Sequence, residues 1–211
     1  MDELRLFNPY SDIRQTANRL PHWQQDGAVY FITFRLTDAL PESLRSEWES
    51  DRATWIRLHP HPWSSATERE YHIRFSGTIE RWLDAGHGSC ILRRADCAAV
   101  IAEALRYFDG DRYAQITSVV MPNHVHALFV QNPDWPLEKL LHTWKSFAAR
   151  QINVLLKRSG SLWQRDYFDR LVRDERHFAN CVRYIRRNPK KAHLRPGEYI
   201  LYENEITQCI E

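Results

Sequence analysis

Hydrophobic positions along this chain change period several times, and each change marks an element. Residues 28–36, Ala-Val-Tyr-Phe-Ile-Thr-Phe-Arg-Leu, are dense in β-branched and aromatic side chains, the pattern of a buried strand. Between 95 and 108, Cys97, Val100, Ile101, Ala104, Leu105 and Phe108 return at helical spacing, which predicts an amphipathic helix ended by Asp109-Gly110-Asp111. Residues 113–120 and 124–130 read as two strands joined at Met121-Pro122-Asn123, a hairpin. Leu137, Leu140, Leu141, Trp144, Phe147, Ala148, Ile152 and Leu155 form one apolar stripe of a long helix that Gly160 stops. A short extended segment is expected around 162–172. The last helix is expected over 174–188, with Asp174 as N-cap, Phe178, Cys181, Val182 and Ile185 as its stripe, and Pro189 just beyond its end.

Two stretches lack a clear period. Residues 1–26 read as an irregular arm. Residues 37–90 are helical but broken, carrying Trp48, Trp55, Trp63 and Trp82, the turn His59-Pro60-His61-Pro62 and a second turn at 84–88. They are expected to be a helical insertion within a single domain spanning 1–211. The order strand, insertion, helix, strand, strand, helix, short strand, helix predicts an α+β fold. Its expected form is a ferredoxin-like antiparallel sheet with helices on one face.

Composition adds bounds. Of 211 residues 43% are hydrophobic and 12% aromatic, enough for a packed core and too many for a disordered chain. No apolar run approaches the roughly 18 residues of a membrane span. The N-terminus lacks the basic-then-apolar pattern of a signal peptide. Cys90, Cys97, Cys181 and Cys209 show no CxxC spacing, so a reducing, cytoplasmic setting is expected, with no membrane partner. The net charge of +2 conceals a gradient: residues 139–195 hold 15 basic and 4 acidic side chains, or +11, interleaved with Trp144, Phe147, Trp163, Tyr167, Phe168 and Tyr184. Cations among rings suit a polyanion with stackable bases, although a solvated helix face gives the same composition.

Within that frame one short motif carries chemistry. His124 and His126 alternate with Val125 on a strand, so both imidazoles leave the same face. Two such rings can share a divalent metal, and a hard ion such as Mg2+ or Mn2+ then needs an oxygen donor as well. Tyr184 and Asn188, four apart, share one helix face.

Met121-Pro-Asn-His-Val-His126 resembles the histidine–hydrophobe–histidine signature of single-tyrosine transposases, in the form carried by REP-associated tyrosine transposases. Trp163-Gln164, Arg173, Glu175 and then Tyr184-Ile-Arg-Arg-Asn188-Pro189 resemble the C-terminal signature of that family, in the correct order. Trp144-Lys-Ser-Phe147 is similar to its central-helix motif. The resemblance covers 28–36 and about 95–195; the long 37–90 segment departs from shorter members. It implies Tyr184 as nucleophile, His124, His126 and Asn188 as ligands of Mg2+ or Mn2+, and a 5′-phosphotyrosine intermediate. The implied substrate is single-stranded or hairpin DNA, cleaved and transferred as in DNA transposition. Lys145, Arg150, Arg165 and Arg173 are the candidate DNA contacts, and a monomer is favoured over a homodimer. Tyr167 is the competing nucleophile. Two rival readings remain: a domesticated hairpin binder that no longer cuts, and a metal-dependent phosphodiesterase that uses water.

Overall fold

A computed structural model describes residues 4–17, 21–60 and 63–211 of the chain. Residues 61 and 62 of the expected turn, and residues 1–3 and 18–20 of the expected arm, lie outside them. The arm is not wholly irregular: β1 (Arg14–Ala17) and β2 (Pro21–Gln24) pair as a small antiparallel ribbon. The principal sheet is built from β3 (Val29–Arg35), β4 (Tyr113–Val120), β5 (His124–Gln131), β6 (Phe168–Leu171) and β7 (Ile200–Glu203). Its order is β6-β3-β5-β4-β7, antiparallel throughout. The first four strands in space are the ferredoxin-like arrangement expected from the sequence. The edge strand β7, four half-buried residues, has too short a pattern to be read in advance.

The sheet separates two apolar layers because side chains alternate along each strand. Tyr30, Ile32 and Phe34 of β3 join Val125, Ala127 and Phe129 of β5 beneath α4 (Ala95–Arg106) and α5 (Leu137–Leu155). Of the expected stripe of α5, Leu137, Leu140, Leu141, Trp144, Ala148 and Ile152 are buried there, whereas Phe147 and Leu155 are exposed because they fall at the margin of the buried face. On the other face Val29, Phe31, Ile116, Val119 and Leu128 meet Phe178, Cys181, Val182 and Ile185 of α6 (Glu175–Lys191). Helices were expected on one face only. The third lies opposite the other two, because β3 and β5 are apolar on both sides and a single covered face would leave Phe31 and Leu128 in water.

The last helix also runs past its expected end. Asp174 caps it, its Oδ1 accepting from His177 N at 2.7 Å, but Pro189 lies inside the final turn and the helix continues to Lys191. Proline forfeits one hydrogen bond to the carbonyl four residues back, yet its own φ is compatible with a helix.

The 37–90 segment is helical, as expected: α1 (Glu42–Leu58), α2 (Ser65–Tyr71), a π-helical turn (His72–Ser76) and α3 (Gly77–Asp84). Its tryptophans make a small aromatic core. Trp55 meets Trp63, Tyr71 and Phe75, and Trp48 packs edge-on against Phe75. Leu83 joins the α4–α5 layer. The excursion returns to its own start: Ser89 N donates to Asp38 Oδ2 at 2.7 Å, and a Cβ on Gly88 would collide with the Asp38 carbonyl.

Candidate active site

The site lies on the α6 face of the sheet, at the end of β5. Register places His126 opposite Thr33 on β3 and Val119 on β4, and His124 opposite Arg35. Both imidazoles are buried, with ring centroids 4.7 Å apart. Each has a partner at Nδ1. Asn123 Oδ1 is 2.7 Å from His124 Nδ1, and because the Asn123 amide nitrogen donates to the carbonyls of Leu83 and His87, its oxygen must accept. Thr33 Oγ1 is 2.7 Å from His126 Nδ1. Asn188 Nδ2 approaches His126 Nε2 at 3.4 Å as a donor, so that nitrogen carries the lone pair and Nδ1–H points to Thr33. Both rings therefore hold their protons on Nδ1 and turn Nε2 inward.

Burial lowers the affinity of both rings for a second proton. His124 is pushed down to about 3, against a smaller opposing effect of its hydrogen bond with Asn188. His126 is also held well below its ordinary value, by burial and then by the charge on its neighbour. Neutral imidazoles with an unprotonated ring nitrogen are the ligand form of histidine.

The helix supplies the rest. Asn188 is 1% exposed, and its Oδ1 is buried without a hydrogen-bond partner. An orphaned amide oxygen beside two Nε2 atoms fits a hard divalent cation, which takes an oxygen donor along with imidazole nitrogen. Among the described residues no group of three His, Cys, Asp or Glu side chains is placed to hold a metal; a third donor beside the two imidazoles would have to be of another type, and the Asn188 amide oxygen is the one next to them. Tyr184, one turn earlier, lies edge-on to His126 with centroids 5.1 Å apart and edge-on to Phe31 at 5.7 Å. Asn188 and Glu80 of α3 are its polar neighbours. Burial, then the negative charges of Glu80 and Asp84, raise its pKa far above the usual phenol value.

Lys191 completes the cluster, with Nζ 2.8 Å from Asp84, 3.9 Å from Glu80 and 5.9 Å from the centroid of the Tyr184 ring. The structure thus brings together His124, His126, Asn188 and Tyr184. It does not bring Tyr167, whose ring is buried in the layer on the opposite side of the sheet. Lys145, Arg150 and Arg165 are also away from the histidines: Lys145 and Arg150 lie on α5, and Lys145 donates to the backbone oxygens of Gln164 and Arg165 at 2.7 and 3.0 Å. Arg150 and Arg165 are exposed. Arg173, just before α6, is exposed on the near side. Sequence reasoning missed Thr33, Glu80, Asp84 and Lys191, and gave Asn123 no role.

The family model for IS200-like transposases matches residues 93–188, a span that holds both histidines and ends on Asn188. Residues 93–188 are thus similar to the IS200-like transposases. The resemblance drawn from the two motifs holds over this segment, and the match begins only after the helical insertion. No curated protein matches the sequence. Among solved structures, a REP-associated tyrosine transposase bound to a REP hairpin is 15% identical to this chain. That likeness covers 83% of this chain and 74% of the other, with a TM-score of 0.46. The IS200-like segment thus contains the four residues that converge, whereas Thr33, Glu80 and Lys191 reach the site from outside it.

Proposed function

We propose that the protein is a metal-dependent endonuclease and strand transferase for single-stranded, hairpin-forming DNA of the REP type, working through Tyr184. The observation that carries this reading is the meeting of Tyr184, Asn188, His124 and His126 in one pocket of the IS200-like segment.

A phosphodiester resists attack because its negative charge repels nucleophiles, and Tyr184 is protonated at neutral pH. Divalent Mg2+ or Mn2+, held by Nε2 of both histidines and Oδ1 of Asn188, would supply the positive charge that offsets the phosphate. The protein does the rest. Phe31 and His126 fix the plane of the Tyr184 ring, and Asn188 and Glu80 are the polar groups beside its hydroxyl. As the phenol oxygen bonds to phosphorus, its proton passes to the Glu80 carboxylate. The bond from phosphorus to the 3′ oxygen breaks, and that oxygen leaves as a hydroxyl after taking a proton. The product is a 5′-phosphotyrosine ester, which a 3′-hydroxyl of another strand can attack in the reverse sense without ATP.

The test is adduct trapping. Wild-type protein with Mn2+ and a single-stranded hairpin substrate is expected to give a covalent protein–DNA band on a denaturing gel. Tyr184→Phe should give none. A normal adduct from that variant would show the nucleophile to be another residue, and cleavage without any adduct would favour the water-using phosphodiesterase.

A further inference from the structure

The insertion and the catalytic helix enclose a second feature beside Tyr184. A solvent-open cleft of about 460 Å3 lies between α2, α3 and the segment from β6 to α6, lined by Arg69, His72, Glu80, Arg170 and Arg173 among others. Three arginines share the lining with one carboxylate, Glu80, which is within 3.9 Å of Lys191, and Arg170 also hydrogen-bonds the His72 ring at 3.0 Å. Ile73, 68% exposed, gives the wall an apolar surface beside the charges. Four of these residues, Arg69, His72, Ile73 and Glu80, come from the insertion and lie outside the 93–188 match.

The cleft is continuous with the nucleophile. Glu80 belongs to its lining and lies 3.9 Å from Lys191, whose Nζ is 5.9 Å from the centroid of the Tyr184 ring. Tyr184 meets His126 and Phe31 along its ring and has Lys191 over it. DNA joined to the phenol oxygen therefore has the Glu80 side, and the cleft behind it, as its neighbour. A row of guanidinium groups along an open trough suits successive phosphates of a strand. It lacks the glycine-rich turn that gathers the phosphates of a free nucleotide: Gly77, the glycine of the lining, has ordinary helical torsions as the cap of the π turn.

We propose that this cleft is a DNA subsite created by the insertion, which binds the sugar–phosphate backbone of the single strand flanking the scissile phosphodiester through Arg69, Arg170 and Arg173. It rests on the reading of Tyr184 as the nucleophile toward DNA. It gives the 37–90 insertion a function: to extend the strand path beyond the family segment.

The experiment compares two labelled oligonucleotides by fluorescence anisotropy, a bare hairpin and the same hairpin with a single-stranded extension on either side of the cleavage position. The full-length protein is used as wild type, Arg69→Glu, Arg69→Lys and Arg69→Ala/Arg170→Ala. Arg69 is exposed, so its substitution leaves the fold intact, and an unchanged Tm confirms this. Arg69→Glu and the double variant should bind the extended hairpin about tenfold more weakly than wild type. They should bind the bare hairpin within about twofold of it, and Arg69→Lys should restore most of the loss. Equal binding of the extended hairpin by wild type and both charge-removing variants would overturn the proposal. So would displacement of the extension by millimolar deoxynucleoside monophosphate, which would make the cleft a nucleotide pocket. Adduct formation by wild type on the same oligonucleotide is scored separately. Its failure alone removes the Tyr184 reading, while a selective loss of extension binding still establishes the subsite.

Discussion

Each histidine of the pair is held through Nδ1 by a neutral oxygen, and that detail governs which atom faces the pocket. Were Thr33 unable to accept, the His126 ring would be free to exchange protons between its nitrogens and to turn, and the inward lone pair would be present only part of the time. Outer partners of this kind typically contribute 10–100-fold to metal affinity. Thr33→Val keeps the shape of the side chain and removes the acceptor. It is expected to weaken Mn2+ binding by about that factor, read by calorimetric titration, with little change in Tm. Unchanged affinity would mean that Thr33 does not orient the ring. The same burial makes a pH prediction. His124 stays neutral in the fold down to about 3, while the unfolded chain takes up a proton near 6.5. Below 6.5 the unfolded state therefore binds more protons, so stability is full above that pH and is lost as pH falls toward 3. Thermal melts between pH 7 and 4 should show this decline, and His124→Gln/His126→Gln should flatten it. Parallel profiles would contradict the assignment of neutral rings.

Elements differ in how much of their role can be read from one sequence. The spacing of His124 and His126 on β5, and of Tyr184 and Asn188 on α6, is local: periods of two and of about four residues put each pair on one face whatever surrounds them. The stripes of α4 and α5 are legible for the same reason. Glu80 and Lys191 are not, because what joins them is the docking of an inserted helix against a helix more than 100 positions later. Nor does the pattern say that α6 covers the opposite face, since Phe31 and Ile32 look alike until β5 pairs with β3. The helix end is instructive: Pro189 suggests a stop, yet the turn that follows it carries Lys191 to Asp84 and Glu80. The return of the insertion depends on Gly88, whose φ is +86° and whose missing Cβ leaves room for the Asp38 carbonyl. Gly88→Ala should cost about 2 kcal/mol or more, from strain and collision together. Gly110→Ala, also at positive φ but with open space around it, should cost about 1 kcal/mol. Chemical denaturation of the two variants makes the comparison, and equal losses would refute the close approach.

Over the whole molecule the charge is distributed unevenly around the sheet. The exposed cations of the 139–195 region are not gathered at the histidines: Arg150 is on α5, behind the sheet, while Arg173 is at the cleft near Tyr184. A strand that touched both would have to pass around an edge. DNA affinity should consequently fall steeply with salt, the logarithm of the binding constant declining in proportion to the number of phosphates neutralised. For single strands the slope is about −0.7 per contact, so four contacts give a slope of roughly −3 between 50 and 200 mM salt. A flat dependence would place the strand elsewhere than on these cations.

Among the described residues, no helix is long and apolar enough to cross a membrane. The α1–α3 excursion leaves near Asp38 and comes back to Gly88 against the same backbone, like the handle of a jug. Its two feet are close enough for a brief linker to join them. Such a shortened chain would nevertheless strip Asn123 of the carbonyls of Leu83 and His87, freeing its amide to flip and let go of His124. The orientation of His124 thus hangs on a segment that lies outside the 93–188 match.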